Sequence, residues 1–242
     1  MKRIFPGLTA ALLLATPAEA ACRLALALAL DVSGSVDARE YRLQLDGVAA
    51  ALVAPEVQNA FFSLPGTQVE IAVYQWGAPW QQRILLDWTA VTSVQTLDRI
   101  SLRLRNTSVT FKDPSTAIGS AMEFGIAMLS DRPDCWLRTL DISGDGPSNW
   151  GPHPDRIARG GAGDFITING LVVNPEARDN IDKDLTDVTT LLEYYEAYVI
   201  RGPQGFIEIA GDFDDFERAM TRKLTRELAT MMVSEAGVKT YK

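Results

Sequence analysis

The sequence predicts an α/β fold, a doubly wound and mostly parallel sheet with one antiparallel edge strand. Three observations carry this expectation. Apolar runs of strand length alternate with amphipathic stretches of helical length along the chain. Two of the strand-like runs, Val69 to Trp76 and Gln82 to Trp88, are joined by a Gly-Ala-Pro turn short enough for a hairpin, whereas the others are separated by segments long enough for a crossover helix. No internal repeat or linker divides the 242 residues, and 47% hydrophobic with 22% charged residues suits one domain with a substantial core.

Leu24 to Leu30 is an apolar run ending at Asp31, the pattern of a buried strand. Asp37-Ala-Arg-Glu40 forms a capping box that opens a helix through about Ala54. Pro55 restarts a short helix, and Leu64-Pro65-Gly66-Thr67 ends it. After the hairpin, Ser93 to Leu104 has helical spacing and Arg105 to Ser115 is a polar loop. Thr116 to Leu129 reads as a helix with small residues on one face, suited to close packing. Trp136 to Ser143 is strand-like and runs into Gly144-Asp145-Gly146. A Gly- and Pro-rich loop reaches Gly163, Phe165 to Val173 is a further buried strand, and Leu185 to Ile200 is helical. Gly205 to Ala210 supplies a short last strand. Asp212 to Val233 is a closing helix whose Asp214, Asp215 and Glu217 complement its N-terminal dipole.

Lys2 and Arg3, an apolar stretch from Ile4 to Ala15, and Thr16-Pro-Ala-Glu-Ala20 read as an export signal cleaved after Ala20. Glu19 and Arg23 interrupt the apolar stretch, and no later segment offers the ~18 continuous apolar residues of a membrane span. The expected location is periplasmic or secreted. In such an oxidising compartment Cys22 and Cys135 are expected as a disulfide, since each precedes a strand and strand starts lie at one edge of a parallel sheet. A formal net charge of −8 disfavours nucleic acid and anionic membranes as partners. One histidine and two cysteines exclude multi-histidine zinc and Cys₄ sites, so any metal must be held by oxygen.

Oxygen ligands gather in three loops at the carboxyl ends of the predicted strands, where such sheets bind ligands. Asp31, Ser33 and Ser35 have the period-two spacing that aims alternate side chains one way. Thr116 opens the segment Thr-Ala-Ile-Gly-Ser-Ala, and Asp145 follows the fourth strand. Two carboxylates and three hydroxyls form a hard donor set suited to Mg²⁺ or Mn²⁺. With only two negative ligands the ion keeps positive charge, which favours an acidic group from a partner in the open position.

In these residues the chain resembles the von Willebrand factor A domain and its metal-ion-dependent adhesion site, or MIDAS. Asp31-Val-Ser33-Gly-Ser35 matches the first part of that pattern, Thr116 the second and Asp145-Gly146 the third. Gly144 reads as an extra residue between the strand's hydroxyl residue and Asp145, which leaves Asp141 and Ser143 open as sharers of the acidic role. The resemblance covers roughly Leu24 to Val233 and is nearest to an uncharacterised group of exported bacterial proteins with little beyond this domain. With the export signal over 1–20, the expected division is a domain over 21–234 and a tail over 235–242. The resemblance also implies a cation-dependent module that binds a protein partner through an acidic residue.

The same oxygen cluster is open to two other readings, a metal-assisted hydrolase and a metal-free interaction scaffold. Against a serine hydrolase, Val32-Ser-Gly-Ser-Val36 lacks the first glycine of a nucleophile elbow, and His153 is read as a surface loop residue. Gly160-Gly-Ala-Gly163 precedes a strand and so is not a dinucleotide fingerprint. Asp179 to Asp184 lacks the glycine and final Glu of an EF-hand. Trp150 is open to two readings, a cover over its own loop or an aromatic contact on the metal rim.

Overall fold

A computed structural model describes residues 20–108, 113–157, 165–174, 188–202 and 204–238. Residues 1–19 of the expected signal, Gly160 to Gly163 and the Asp179 to Asp184 turn lie outside the described residues. The strands are β1 (Ala21–Asp31), β2 (Thr67–Trp76), β3 (Arg83–Val91), β4 (Leu137–Gly144), β5 (Ile166–Val173) and β6 (Ile207–Ala210). The helices are α1 (Ala38–Val53), α2 (Pro55–Phe61), α3 (Val94–Arg105), α4 (Ile118–Ser130), α5 (Val188–Tyr194) and α6 (Phe216–Val238). A π-helical turn, Tyr195–Val199, continues α5. The sheet order is β3-β2-β1-β4-β5-β6. Among the described strands only β3, at the edge, runs antiparallel to its neighbour.

The alternation Leu-Ala-Leu-Ala along β1 sorts the two layers. Pleating sends successive side chains to opposite faces. Leu24, Leu26, Leu28 and Leu30 therefore join one core with Leu45 and Leu52 of α1, Leu97 of α3 and Leu224 of α6. Ala25, Ala27 and Ala29 face a second core with Ile118 and Met122 of α4 and with Tyr195. Each buried leucine contributes about 1.5–3 kcal/mol. The alanine face lets α4 come close: a Cβ on Gly125 would meet Leu140 at 2.5 Å and the Tyr74 hydroxyl at 2.7 Å.

The expected capping box is formed, with Glu40 N–H donating to Asp37 Oδ1 and Asp37 N–H to Glu40 Oε2, each at 2.8 Å. Cys22 and Cys135 are bonded, with Cα atoms 4.6 Å apart, beside a Trp136 N–H to Cys22 carbonyl bond of 3.0 Å at the strand starts. Two helix starts differ from expectation. The closing helix begins at Phe216, because Asp212 Oδ1 accepts from Asp215 N–H and holds 212–215 as a turn. The α4 helix begins at Ile118, two residues after Thr116. Residues 185–187 of the expected Leu185 helix fall outside the described residues.

Sequence patterning did not anticipate the buried ions. Arg23 is fully buried and donates to the carbonyls of Ala60, Phe61 and Leu228, tying β1 to α2 and α6. Lys223 of α6, also fully buried, contacts Asp141 of β4 and pairs with Glu227 at 2.8 Å, while Asn169 Nδ2 donates to Glu227. One ammonium faces two carboxyl groups there. Burial and then Glu227 push Asp141 up to about 8, against the pull of Lys223.

Candidate metal centre

At the carboxyl end of β1 the chain leaves the sheet through Val32, whose N–H still bonds the Trp76 carbonyl at 2.8 Å. Gln44 of α1 holds the exit from below by donating to the Asp31 carbonyl at 2.9 Å. The loop then turns back on itself, and Ser33 N–H donates to Asp31 Oδ1 at 2.7 Å. The Ser33 and Ser35 hydroxyls lie 3.2 Å apart. Ser35 Oγ donates to Asp145 Oδ1 at 2.6 Å, joining the loops after β1 and β4. Four of the five proposed ligands therefore form one chain of hydrogen bonds.

Gly144, which separates Ser143 from Asp145, is the last residue of β4. Pairing of β4 with β5 runs in register from Arg138 to Gly144, so the strand carries no bulge there. Asp141 and Ser143 are engaged away from Asp145. Asp141 is turned to Lys223, and the Ser143 hydroxyl donates to the Ala29 carbonyl at 3.1 Å and to Gln44 at 3.4 Å. Asp145, one residue beyond the strand, is the carboxylate that reaches Ser35.

Thr116 arrives on a segment pressed against the same loop. Gly34 packs on Pro114 with no space for a Cβ, and Ala117 N–H bonds the carbonyl of Gly77, itself beside Ser33 N. Asn149 fixes Thr116 through both backbone groups, its Oδ1 accepting at 2.8 Å and its N–H donating at 2.9 Å. The N-cap of α4 is Ala117, and no side chain caps the helix, so the Thr116 hydroxyl is not spent on its end. Among the described residues its hydroxyl is not tied to another protein group.

Asp31 is buried with its Oδ2 lacking a hydrogen-bond partner. Burial, followed by the charge of Asp145, holds its carboxyl well above the ordinary range, despite the Ser33 N–H bond. Two crowded carboxylates and an unpartnered buried oxygen, surrounded by hydroxyls, fit a divalent cation of hard character. The five residues that would hold it are Asp31, Ser33, Ser35, Thr116 and Asp145. When bound, such an ion offers an electrophilic coordination position to an incoming oxygen anion. The other grouping of metal-type side chains, Cys22, Glu70 and Cys135, lacks that chemistry because its sulfurs are bonded to each other.

Two exposed tryptophans lie on neighbouring loops. Trp150, in the loop after Asp145, is 57% exposed, and its backbone N–H bonds the Thr116 carbonyl at 3.3 Å. Trp80, in the β2–β3 turn, is 67% exposed. Their loops touch, since a Cβ on Gly151 would lie 3.2 Å from Pro79. His153 is a surface residue, with Nδ1 2.6 Å from Asp155 and its ring edge-on to Tyr198.

A family profile described as "Protein of unknown function (DUF1194)" matches residues 21–232. The chain belongs to this family. No curated protein matches it. Among solved structures, this DUF1194 chain is similar to the pilus adhesin SpaC of Lactobacillus rhamnosus GG, with 13% identity, a TM-score of 0.60, and 86% of this chain against 31% of that one covered. It is similar to a von Willebrand factor type A protein of Catenulispora acidiphila, with 13% identity, a TM-score of 0.51, and coverage of 86% and 43%. A third likeness is to proximal thread matrix protein 1 of the mussel byssus with a zinc-occupied MIDAS motif, with 15% identity, a TM-score of 0.53, and coverage of 87% and 47%. The DUF1194 chain spans less than half the length of each of these. Its fold is that of a von Willebrand factor A domain. No helix of the described residues is long and apolar enough to cross a membrane.

Proposed function

We propose that this chain is an exported, divalent-cation-dependent binding module. It captures an acidic residue of a protein partner through Mg²⁺ or Mn²⁺ held by Asp31, Ser33, Ser35, Thr116 and Asp145. The observation that carries this reading is the Ser35–Asp145 bond beside the unpartnered, buried Asp31 Oδ2. It brings two carboxylates from distant loops into one hydroxyl-lined cluster, where a cation relieves their repulsion. The three hydroxyls are neutral ligands, so the ion keeps enough charge to attract a third carboxylate from outside. Trp80 and Trp150 supply the apolar contact that surrounds this central ionic one.

Residues 21–234 are the working domain in this reading, and 1–20 direct export to the periplasm or beyond. The cysteine pair and the likeness to a pilus adhesin and a byssus protein support that location. The chain acts by binding rather than by catalysis: its one imidazole is engaged by Asp155 rather than by a serine.

Capture from an extract of envelope and secreted proteins tests the function. Immobilised wild-type protein is expected to retain a partner in Mg²⁺ and to release it in EDTA. Asp31→Ala should retain none, and Trp150→Ala should retain less while still binding Mg²⁺. A partner held equally in EDTA would refute cation-dependent capture.

A further inference from the structure

We propose that Tyr195 is a positioning residue of the metal centre, its hydroxyl fixing Asp31 Oδ2, directly or through one water, so that the carboxylate faces the cation. This rests on the reading of the Asp31 cluster as a cation site.

The chain builds a slot for this side chain. Tyr195 begins the π-helical turn that ends the α5 segment, and single π-turns frequently sit at functional sites. Its ring lies over Gly170 of β5, where a Cβ would come within 2.9 Å of Cδ1. Its hydroxyl reaches over Gly144 of β4, where a Cβ would stand 2.5 Å from the phenolic oxygen and 3.2 Å from Asp31 Oδ2. Two glycines on adjacent strands thus make room for the ring and its hydroxyl, and the hydroxyl ends beside the unpartnered oxygen of Asp31. The residue between Ser143 and Asp145 has no side chain because that space belongs to Tyr195.

Both atoms are buried, and neither has a hydrogen-bond partner among the described residues. Burying a hydroxyl is costly unless it is used, and phenylalanine would fill the same slot without that cost. A phenol carries its proton at neutral pH, so the Tyr195 hydroxyl is a hydrogen-bond donor. A donor held against the back of a metal-binding carboxylate orients it, and losing such a contact typically weakens metal binding about 10–100-fold.

The test is Mg²⁺ calorimetry on wild type, Tyr195→Phe, Gly144→Ala and the double variant, with melting in EDTA as the fold control. Tyr195→Phe is expected to bind Mg²⁺ at least about tenfold more weakly, with no loss of melting temperature in EDTA. Gly144→Ala should also weaken binding by displacing the hydroxyl, and the double variant should bind no more weakly than the weaker single one. Mg²⁺ should also produce a tyrosine difference band in the near-ultraviolet spectrum of wild type that Tyr195→Phe lacks. Equal Mg²⁺ affinity in wild type and Tyr195→Phe overturns this inference alone. No Mg²⁺ uptake by wild type overturns the metal reading and this inference with it.

Discussion

At the scale of single residues, buried charge shapes how this protein responds to pH. Lys223 is pulled down by burial, but Asp141 and Glu227 outweigh that and hold its ammonium above the ordinary range. Two carboxyl groups then share one cation, so one keeps its proton, and Asp141 is raised from 3.8 to about 8. Between those values the folded chain holds a proton that the unfolded chain has released. Its stability is greatest below the lower value and falls as pH rises through the upper one, at most about 1.4 kcal/mol per pH unit for one proton. Asp31 acts in the same direction when no metal is present. Urea unfolding in EDTA at several pH values between 4 and 8 is expected to show this decline, and Asp141→Asn should flatten it; an unchanged slope would contradict the assignment. These ions were not legible in the sequence, because Arg23, Lys223 and Glu227 look like solvated charges until three-dimensional packing buries them. Asp31, Ser33 and Ser35 were legible because one short loop holds them at period-two spacing. Tyr195 was invisible, since it joins the cluster from a distant turn and only its packing over Gly144 and Gly170 reveals it.

At the scale of elements, α6 does more than cover the sheet. Its Leu224 and Leu228 pack on the leucine face of β1, and its Lys223 reaches Asp141 on β4. Removing that ammonium leaves buried carboxyl groups without their cation. Lys223→Met is expected to cost about 3–5 kcal/mol in urea unfolding at neutral pH, as for other broken buried pairs. A loss below about 1 kcal/mol would mean that the cluster reorganises or admits water. The main elements were readable from alternation and capping: the Leu-Ala repeat of β1, the Asp37–Glu40 box and the Gly-Ala-Pro hairpin all appear in the structure. Helix starts were not. Local side-chain bonds decide whether a polar lead-in is helix or turn, as Asp212 does before α6 and Asn149 does around Thr116.

At the scale of the whole molecule, the two edges of the sheet have separate tasks. The disulfide closes the edge where β1 and β4 begin, and the oxygen cluster occupies the edge where they end. At roughly 3.3 Å per strand residue, about 30 Å separates them. Cys135→Ser is therefore expected to lower stability by about 2–5 kcal/mol while leaving metal affinity within about twofold. A change in both would show that the strands transmit strain between the edges. The cluster itself sits where loops from β1, β4 and the segment before α4 converge, a placement that the order of the motifs along the chain already implied. The measurement that bears most directly on the proposed metal centre is calorimetric titration of Mg²⁺ and Mn²⁺ into the purified protein and its Asp31→Ala variant. Saturable binding of one ion per chain by wild type, abolished in Asp31→Ala, is the expected result. Equal heats from the two proteins would contradict it.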